Sequence, residues 1–433
     1  MRKVLIITYY WPPAGSSGVQ RWLKFVKYLR EFGWEPVVYT AENPEVASID
    51  ESLLKDVPSG VEIIRKHVPE PYKVYKLIAG KKGQKIGVGF TSEGSKKNGI
   101  INKVAIWVRG NFFIPDARMF WIRPSVKFLT KYIKENPVDL IVSSGPPHSL
   151  HLIALGVKRK CNVPWIADFR DPWTNIDFYK DLNPTWIADR IQKRLEKKVL
   201  QRSDLIVTIS QSMAEEFRNK TSQRVEVITN GYDHSDFKEE TVVCDSDFSI
   251  VHIGSIPPSR NCVSLWRAIS KLSNQDLEFK ERLKLRFVGS VDYNLIESLK
   301  EANLYEQSTF DGTIPHGKAI SIQRSAQVLL LLVNDSPNAN GILTGKVFEY
   351  FAAKRPILAL GPVGGELDDL LSKTKAGILL PFHSEPEIFE GLKWLWEEYK
   401  NEWKNFKTTG TEPFSRKELT KVMANLMDEL ISK

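Results

Sequence analysis

Lys346 and Glu349 stand three residues apart in the run Gly341-Ile-Leu-Thr344-Gly345-Lys346-Val-Phe-Glu349-Tyr350. The small residues before Lys346 suit a loop whose backbone N–H groups are exposed, followed by a helix opening near Thr344 with its positive end toward an anion. Lys346 adds a full charge to that first turn. Glu349 shares its helix face and brings an acceptor-only carboxylate one turn away. The pairing suits a nucleoside diphosphate, with lysine on phosphate and glutamate on ribose hydroxyls. The plainer reading of the same two residues is an amphipathic helix with a surface ion pair.

Other residues have types that could do chemistry. Gly15 and Gly18 remove side chains where a first strand turns into a helix, which allows close backbone approach to a ligand, while Ser16 and Ser17 offer hydroxyls and a helix cap. A capped turn without a ligand reads the same way. G-x-G-x-x-G is absent from this loop, which disfavours a nicotinamide-dependent oxidoreductase. Asp168-Phe-Arg170-Asp171 ends a strand, where polar side chains of open α/β sheets meet ligands, although a structural Arg/Asp pair is the alternative. His148 sits at another strand-to-helix crossover and could touch an acceptor or serve the turn. Asp245-Ser-Asp247 falls in a polar connecting stretch rather than a metal-binding context, so no metal is expected.

The elements that must position these residues alternate in type. Residues 4–8, 36–40, 140–143, 164–168, 205–209 and 225–228 read as strands, and 17–32, 125–135, 148–160 and 184–202 as helices, the alternation of a parallel doubly wound sheet. Residues 41–123 break the rhythm and read as an irregular basic insertion in a first domain, 1–233. Residues 234–247 read as a linker. A second series of strands, 249–253, 283–288, 308–310, 328–333, 357–360 and 377–379, marks a second doubly wound domain at 248–412, the one that carries Lys346 and Glu349. Residues 413–433 read as a closing helix able to return to the first domain. Strand ends facing each other across two such domains would form a cleft.

The chain has 433 residues, enough for two cores. Its 3 cysteines form no C-x-x-C, which fits a reducing cytoplasm and argues against a disulfide framework. The amino-terminal run is too short for a signal peptide core, and no stretch approaches the roughly 18 apolar residues of a spanning helix. The net charge of +9 is local: residues 65–134 hold 16 Lys and Arg against 3 Asp and Glu. Interleaved aromatics there suit an anionic bilayer surface, a solvated basic face being the plainer reading. No recognition motif points to nucleic acid.

Lys346-x-x-Glu349-Tyr350 with Arg355-Pro356-Ile357 resembles the donor-site segment of family 4 glycosyltransferases of the GT-B fold. Residues 9–21, 164–173, 207–212, 228–233 and 251–256 resemble further family segments in the family's order. The resemblance implies two Rossmann-like domains and retaining, metal-independent, hexosyltransferase-type transfer without a cofactor. Its substrates would be a UDP- or GDP-sugar donor and a hydroxyl of a bacterial surface glycan or lipid-linked precursor, at the inner face of the cytoplasmic membrane. It implies donor contacts from Gly15, Ser16, Gly18, Arg260, Asn261, Gly341, Thr344, Gly345, Lys346 and Glu349, and an acceptor-side His148. Asp168, Arg170, Asp171, Arg260 and Lys346 are the expected catalytic groups, and His316 resembles a residue near the base. The chain departs from the family in carrying Arg170 where several relatives have a sugar-contacting histidine, and Gly341 where many have a first glutamate. A binding-only GT-B protein is the alternative these departures suggest.

Overall fold

Strands apolar at consecutive positions have no face to give to water and must be covered on both sides. In the computed structural model, β1 (Arg2–Ile7), β2 (Trp34–Ala41), β3 (Glu62–Lys66), β4 (Leu140–Gly145), β5 (Trp165–Phe169), β6 (Leu205–Thr208) and β7 (Val225–Val227) form one parallel sheet in the order β3-β2-β1-β4-β5-β6-β7. The structure describes residues 1–15, 17–46, 49–69, 99–237, 242–336 and 339–432. Leu5, Ile7, Ile141 and Trp165 pack against Leu129, Ile153 and Val199 on one face. Val4, Ile6, Val142 and Ile166 pack with Trp22, Val26, Met423 and Met427 on the other.

A second parallel sheet runs β10-β9-β8-β11-β12-β13, built from β8 (Phe248–Ile253), β9 (Leu283–Val288), β10 (Ser308–Gly312), β11 (Val328–Leu332), β12 (Ile357–Gly361) and β13 (Gly377–Pro381). It too has a core on each face. Strand order reverses between β1 and β4 in the first sheet and between β8 and β11 in the second, the places where open α/β sheets bind ligands. The chain divides into two compact units, Met1–Thr229 with Leu419–Lys433, and Asn230–Glu418. Each is doubly wound, the expected fold class.

The described parts of residues 41–123 are more regular than their composition suggests, residues 70–98 of that stretch lying outside the described residues. β3 pairs with β2 from Val37↔Glu62 to Ala41↔Lys66 as an edge strand, half exposed and therefore without a strong apolar signal. Helix Gly99–Phe112 also lies there, and the following helix, Met119–Glu135, starts ahead of Pro124 rather than after it. The stretch read as a linker is held by the second unit: Asp245 N–H donates to Ser325 O at 2.8 Å, and Tyr399 Oη donates to Ser246 O at 2.5 Å. The division falls earlier, at Thr229/Asn230. Helix Arg416–Ile431 is bound to the first unit by Asp428, which accepts from Trp34 Nε1 at 2.9 Å and pairs with Arg2 at 2.6 Å.

Candidate functional site

In the second unit, β8 delivers the chain to Gly254 at φ +134°, a backbone conformation that favours glycine. Gly289, at the end of β9, has φ +121° and lies so close to the Gly254 carbonyl that no Cβ fits between them. The loop beyond Gly254 is tied to the loop after β11: Asp335 N–H donates to Ser259 O at 2.8 Å, and Arg260 Nε donates to Asn334 Oδ1 at 2.6 Å. Arg260 Nη1 donates to Ser255 O at 3.1 Å, leaving Nη2 without a protein partner among the described residues. Burial lowers the Arg260 pKa. A guanidinium held by two of its three nitrogens beside a switch point can offer the third to an anion.

Helix Gly345–Ala353 meets the same point. Tyr350 pins it there, its hydroxyl accepting from Ile253 N–H at 3.1 Å and donating to Leu330 O at 3.4 Å. Thr344 occupies the N-cap position, but its side chain makes no capping bond, and Oγ1 is buried without a partner. A Cβ on Gly345 would meet only Asn230 Nδ2, at 3.9 Å, so this glycine leaves open space at the helix start. Lys346 Nζ donates to Glu349 Oε2 at 2.8 Å, and Gln323 Nε2 reaches the same oxygen at 3.3 Å. Burial alone would raise the Glu349 pKa; the charges of Lys346 and His316 and the bonds from Lys346 and Gln323 outweigh it, and the carboxyl sits below its usual range. His316 opens helix His316–Ser325, 3.9 Å from Asp236.

His252 and Gln323 escaped the sequence reading. His252 Nδ1 lies 3.0 Å from Leu330 O, which can only accept, so Nδ1 carries the proton and Nε2 is a bare acceptor. Nε2 is buried and has no partner. Burial first, then the charges of Arg260 and Lys346, push the His252 pKa down to about 3 against the bond to Leu330, which keeps the ring neutral. Gln323 Oε1 is likewise buried and unsatisfied. A lone histidine in an apolar strand and a glutamine in a short helix carry no spacing signal; only the position of His252 just ahead of the Gly254 turn hinted at a role.

The first unit treats its expected residues differently. Asp168 is fully buried and accepts from Arg21 Nε and Nη2 at 3.1 and 2.9 Å, Trp22 Nε1 at 2.7 Å and Ser144 Oγ at 2.8 Å. Its lone pairs are taken, so the expected sugar contact is replaced by a buried joint between helix Ser17–Leu29 and strands β4 and β5. Arg170 is half-buried over the Tyr10 ring, with Nη1 donating to Gly18 O at 3.1 Å and Nη2 to Pro146 O. Gly18 serves this packing: a Cβ there would lie 2.7 Å from Arg170 Nη1, so the space is filled by protein and not by ligand. Arg170 Nε remains buried and unpartnered. Asp171 lies where its charge raises the Arg170 pKa against the dominant effect of burial.

His148 stacks on Trp173 at 4.5 Å and is nearly buried, with no capping bond to the helix it precedes. Burial, then the charges of His151 and Arg170, push its pKa well down. His151, with Nδ1 2.8 Å from Ser143 Oγ, is lowered to about 3, chiefly by burial. In the second unit, Asn261 is another correction: its amide donates to Asn294 O and Ser298 Oγ and accepts from Trp266 Nε1, so no polar end is left for a donor. Gly341 closes a short 3-10 turn, Ala339–Gly341. Gly15 precedes the first helix; Ser16 lies outside the described residues. The structure thus gathers Arg260, Thr344, Gly345, Lys346 and Glu349 at one switch point and removes Asp168 and Asn261 from the candidates.

Two parallel α/β units with these strand orders define a GT-B-fold protein. Among solved structures, the chain is similar to sucrose-phosphate synthase from Thermosynechococcus elongatus (14% identity, 100% of both chains covered, TM-score 0.65). It is similar also to a glycosyltransferase from Rickettsia africae (14%, 100% of this chain and 99% of that one, 0.64) and to WaaG, a glycosyltransferase involved in lipopolysaccharide biosynthesis (13%, 98% and 99%, 0.55). At these identities the likeness carries the fold. No curated protein matches the chain. Residues 89–236 match the family model described as Glycosyltransferase Family 4.

Proposed function

We propose that the chain transfers a hexose-type sugar, with retention, from a UDP- or GDP-linked donor to a hydroxyl of a bacterial surface glycan or its lipid-linked precursor. The observation that carries this reading is the Lys346–Glu349 pair on the opening turn of helix Gly345–Ala353, beside the unpartnered Thr344 Oγ1 and the open face of Gly345. Backbone N–H groups, Lys346 and Arg260 Nη2 together can take a diphosphate, and Glu349 a ribose. The acceptor class is suggested by the part WaaG plays in lipopolysaccharide biosynthesis.

As the bond between the anomeric carbon and the diphosphate oxygen breaks, the leaving group gains negative charge, which these donors stabilise without a metal or a cofactor. The acceptor hydroxyl attacks from the same face, its oxygen bonding to the anomeric carbon and its proton passing to the departing phosphate oxygen. No protein nucleophile is needed.

A lipid-linked acceptor would place the enzyme on the inner face of the cytoplasmic membrane; within the basic stretch 65–134, Lys81, Lys82, Lys85, Lys96 and Lys97 would add to that contact and lie outside the described residues. A thermal-shift series over UDP- and GDP-sugars tests the donor half, since a ligand of the native state raises its stability. Stabilisation by one nucleotide-sugar class, abolished in Lys346→Ala, is expected; no shift with any of them defeats the reading. Binding without transfer or hydrolysis would favour the binding-only alternative.

A further inference from the structure

Helix Trp186–Arg202 has an outward face unlike the others. It carries six basic residues, and its two acids, Asp189 and Glu196, turn away from that face. Glu196 is buried and accepts from Thr174 Oγ1 at 2.8 Å and Lys220 at 3.1 Å, while Asp189 accepts from Tyr179 Oη at 3.2 Å. Lys193 pairs with Asp189 at 2.8 Å. Arg190, Arg194, Lys197, Lys198 and Arg202 have no carboxylate within pairing distance among the described residues. The amino-terminal half of the same face exposes Trp186 at 72% and Ile187 at 53%, with Ile191 beside them one turn on.

A second exposed apolar element is fastened to it. Asn111, near the end of helix Gly99–Phe112, accepts from Thr185 N–H at 2.6 Å and donates to Asn183 O at 3.1 Å. Gly110 leaves no room for a Cβ against the Leu182 carbonyl. Trp107 and Phe112 on this helix stack edge to face at 5.7 Å, and Phe112 is 64% exposed. Apolar and aromatic side chains thus project from two joined helices, one of which is strongly cationic.

We propose that this paired-helix face docks on an anionic lipid bilayer, with Trp186, Ile187, Trp107 and Phe112 entering the headgroup boundary and the cations of helix Trp186–Arg202 facing lipid phosphates. The proposal deepens the reading of a lipid-linked acceptor and rests on it. Charge selects the occupant. A second copy meeting the same face across a two-fold axis would oppose like charges. The chain's own residues 70–98 carry seven lysines against two glutamates and have the wrong sign as well.

Flotation of the full chain tests it, using vesicles of phosphatidylglycerol with phosphatidylethanolamine against vesicles of phosphatidylcholine alone. Salt-sensitive binding to the first and little to the second is expected. Reversing Arg190→Glu, Arg194→Glu and Lys198→Glu together should weaken it by about a hundredfold or more, at roughly fivefold for each of the cations lost. Trp186→Ser with Ile187→Ser should weaken binding to both vesicle types. Equal binding of the wild type to both vesicles, or to neither, overturns the proposal. So does loss confined to a Lys81, Lys82, Lys85, Lys96 and Lys97 to Ser variant, or a concentration-dependent dimer that the helix variants abolish. Unchanged melting temperature and nucleotide-sugar shift in the helix variants confirm that they fold. If nucleotide sugars give no shift even in the wild type while flotation behaves as stated, the donor reading falls and the docking face stands.

Discussion

At the end of β5 in the first unit a buried carboxylate is fully answered, although Arg170 Nε beside it is not, whereas at the ends of β8 and β11 in the second several polar atoms are left over together. Asp168 receives Arg21, Trp22 and Ser144 and has nothing further to offer. Arg260 Nη2, Thr344 Oγ1, His252 Nε2 and Gln323 Oε1 have no protein partner among the described residues. A buried polar atom without a partner costs stability, and three of them lie with Arg260 Nη2 around one switch point, an arrangement that suits a partner arriving from outside. The same residue types build a closed joint around Asp168 in one unit and leave open polar ends in the other.

Breaking the joint should give the largest effect. Asp168→Ala leaves Arg21 buried and uncompensated and should destabilise the protein by about 3–5 kcal/mol, read as a lower urea midpoint. Loss of transfer without loss of stability would return Asp168 to the catalytic groups. In the second unit, Lys346→Ala and Glu349→Ala should each remove about 1.5–3 kcal/mol of donor affinity, measured by titration calorimetry, with little change in melting. Arg260→Ala should weaken nucleoside diphosphate binding by a comparable or smaller amount and leave the free nucleoside unaffected; an equal loss for both would move Arg260 away from the phosphates.

A pH series sharpens the comparison further. The folded-state pKa values of His252 and His151 are both depressed from 6.5 to about 3. Their contribution to stability is therefore complete above about pH 6.5 and is lost as the pH falls toward 3, because the unfolded chain takes up the protons first. His252→Asn should flatten this acid loss in part, seen as a smaller drop in urea midpoint between neutral pH and pH 5. The smallest effect is expected from a chelator, which should leave transfer rates unchanged.

Much of this was legible beforehand, because burial on both faces writes itself into consecutive Val, Ile and Leu residues. β4, β5, β9 and β11 lie within two residues of where such runs placed them. β3 was missed because an edge strand alternating Glu62 and Arg65 with two isoleucines spreads its signal over too few positions. Asp168 was misread because a strand-end aspartate looks the same whether it faces water or an arginine 147 residues away in sequence. Asn261 failed for the same reason, its partners lying on a helix some thirty residues on. Lys346 and Glu349 were found because their partnership is local, set by one turn of helix.

Helix Arg416–Ile431 gives the molecule a particular order of assembly. Leu419, Met423 and Met427 belong to the same buried cluster as Val4, Trp22 and Trp34, yet they are synthesised only after the whole of the Asn230–Glu418 unit. During translation, the first unit to emerge must wait with part of one sheet face uncovered while the second, whose residues are continuous, can fold on its own. The half of the protein made first is thus the half completed last, and nascent chains halted before Leu419 should present that uncovered face to chaperones.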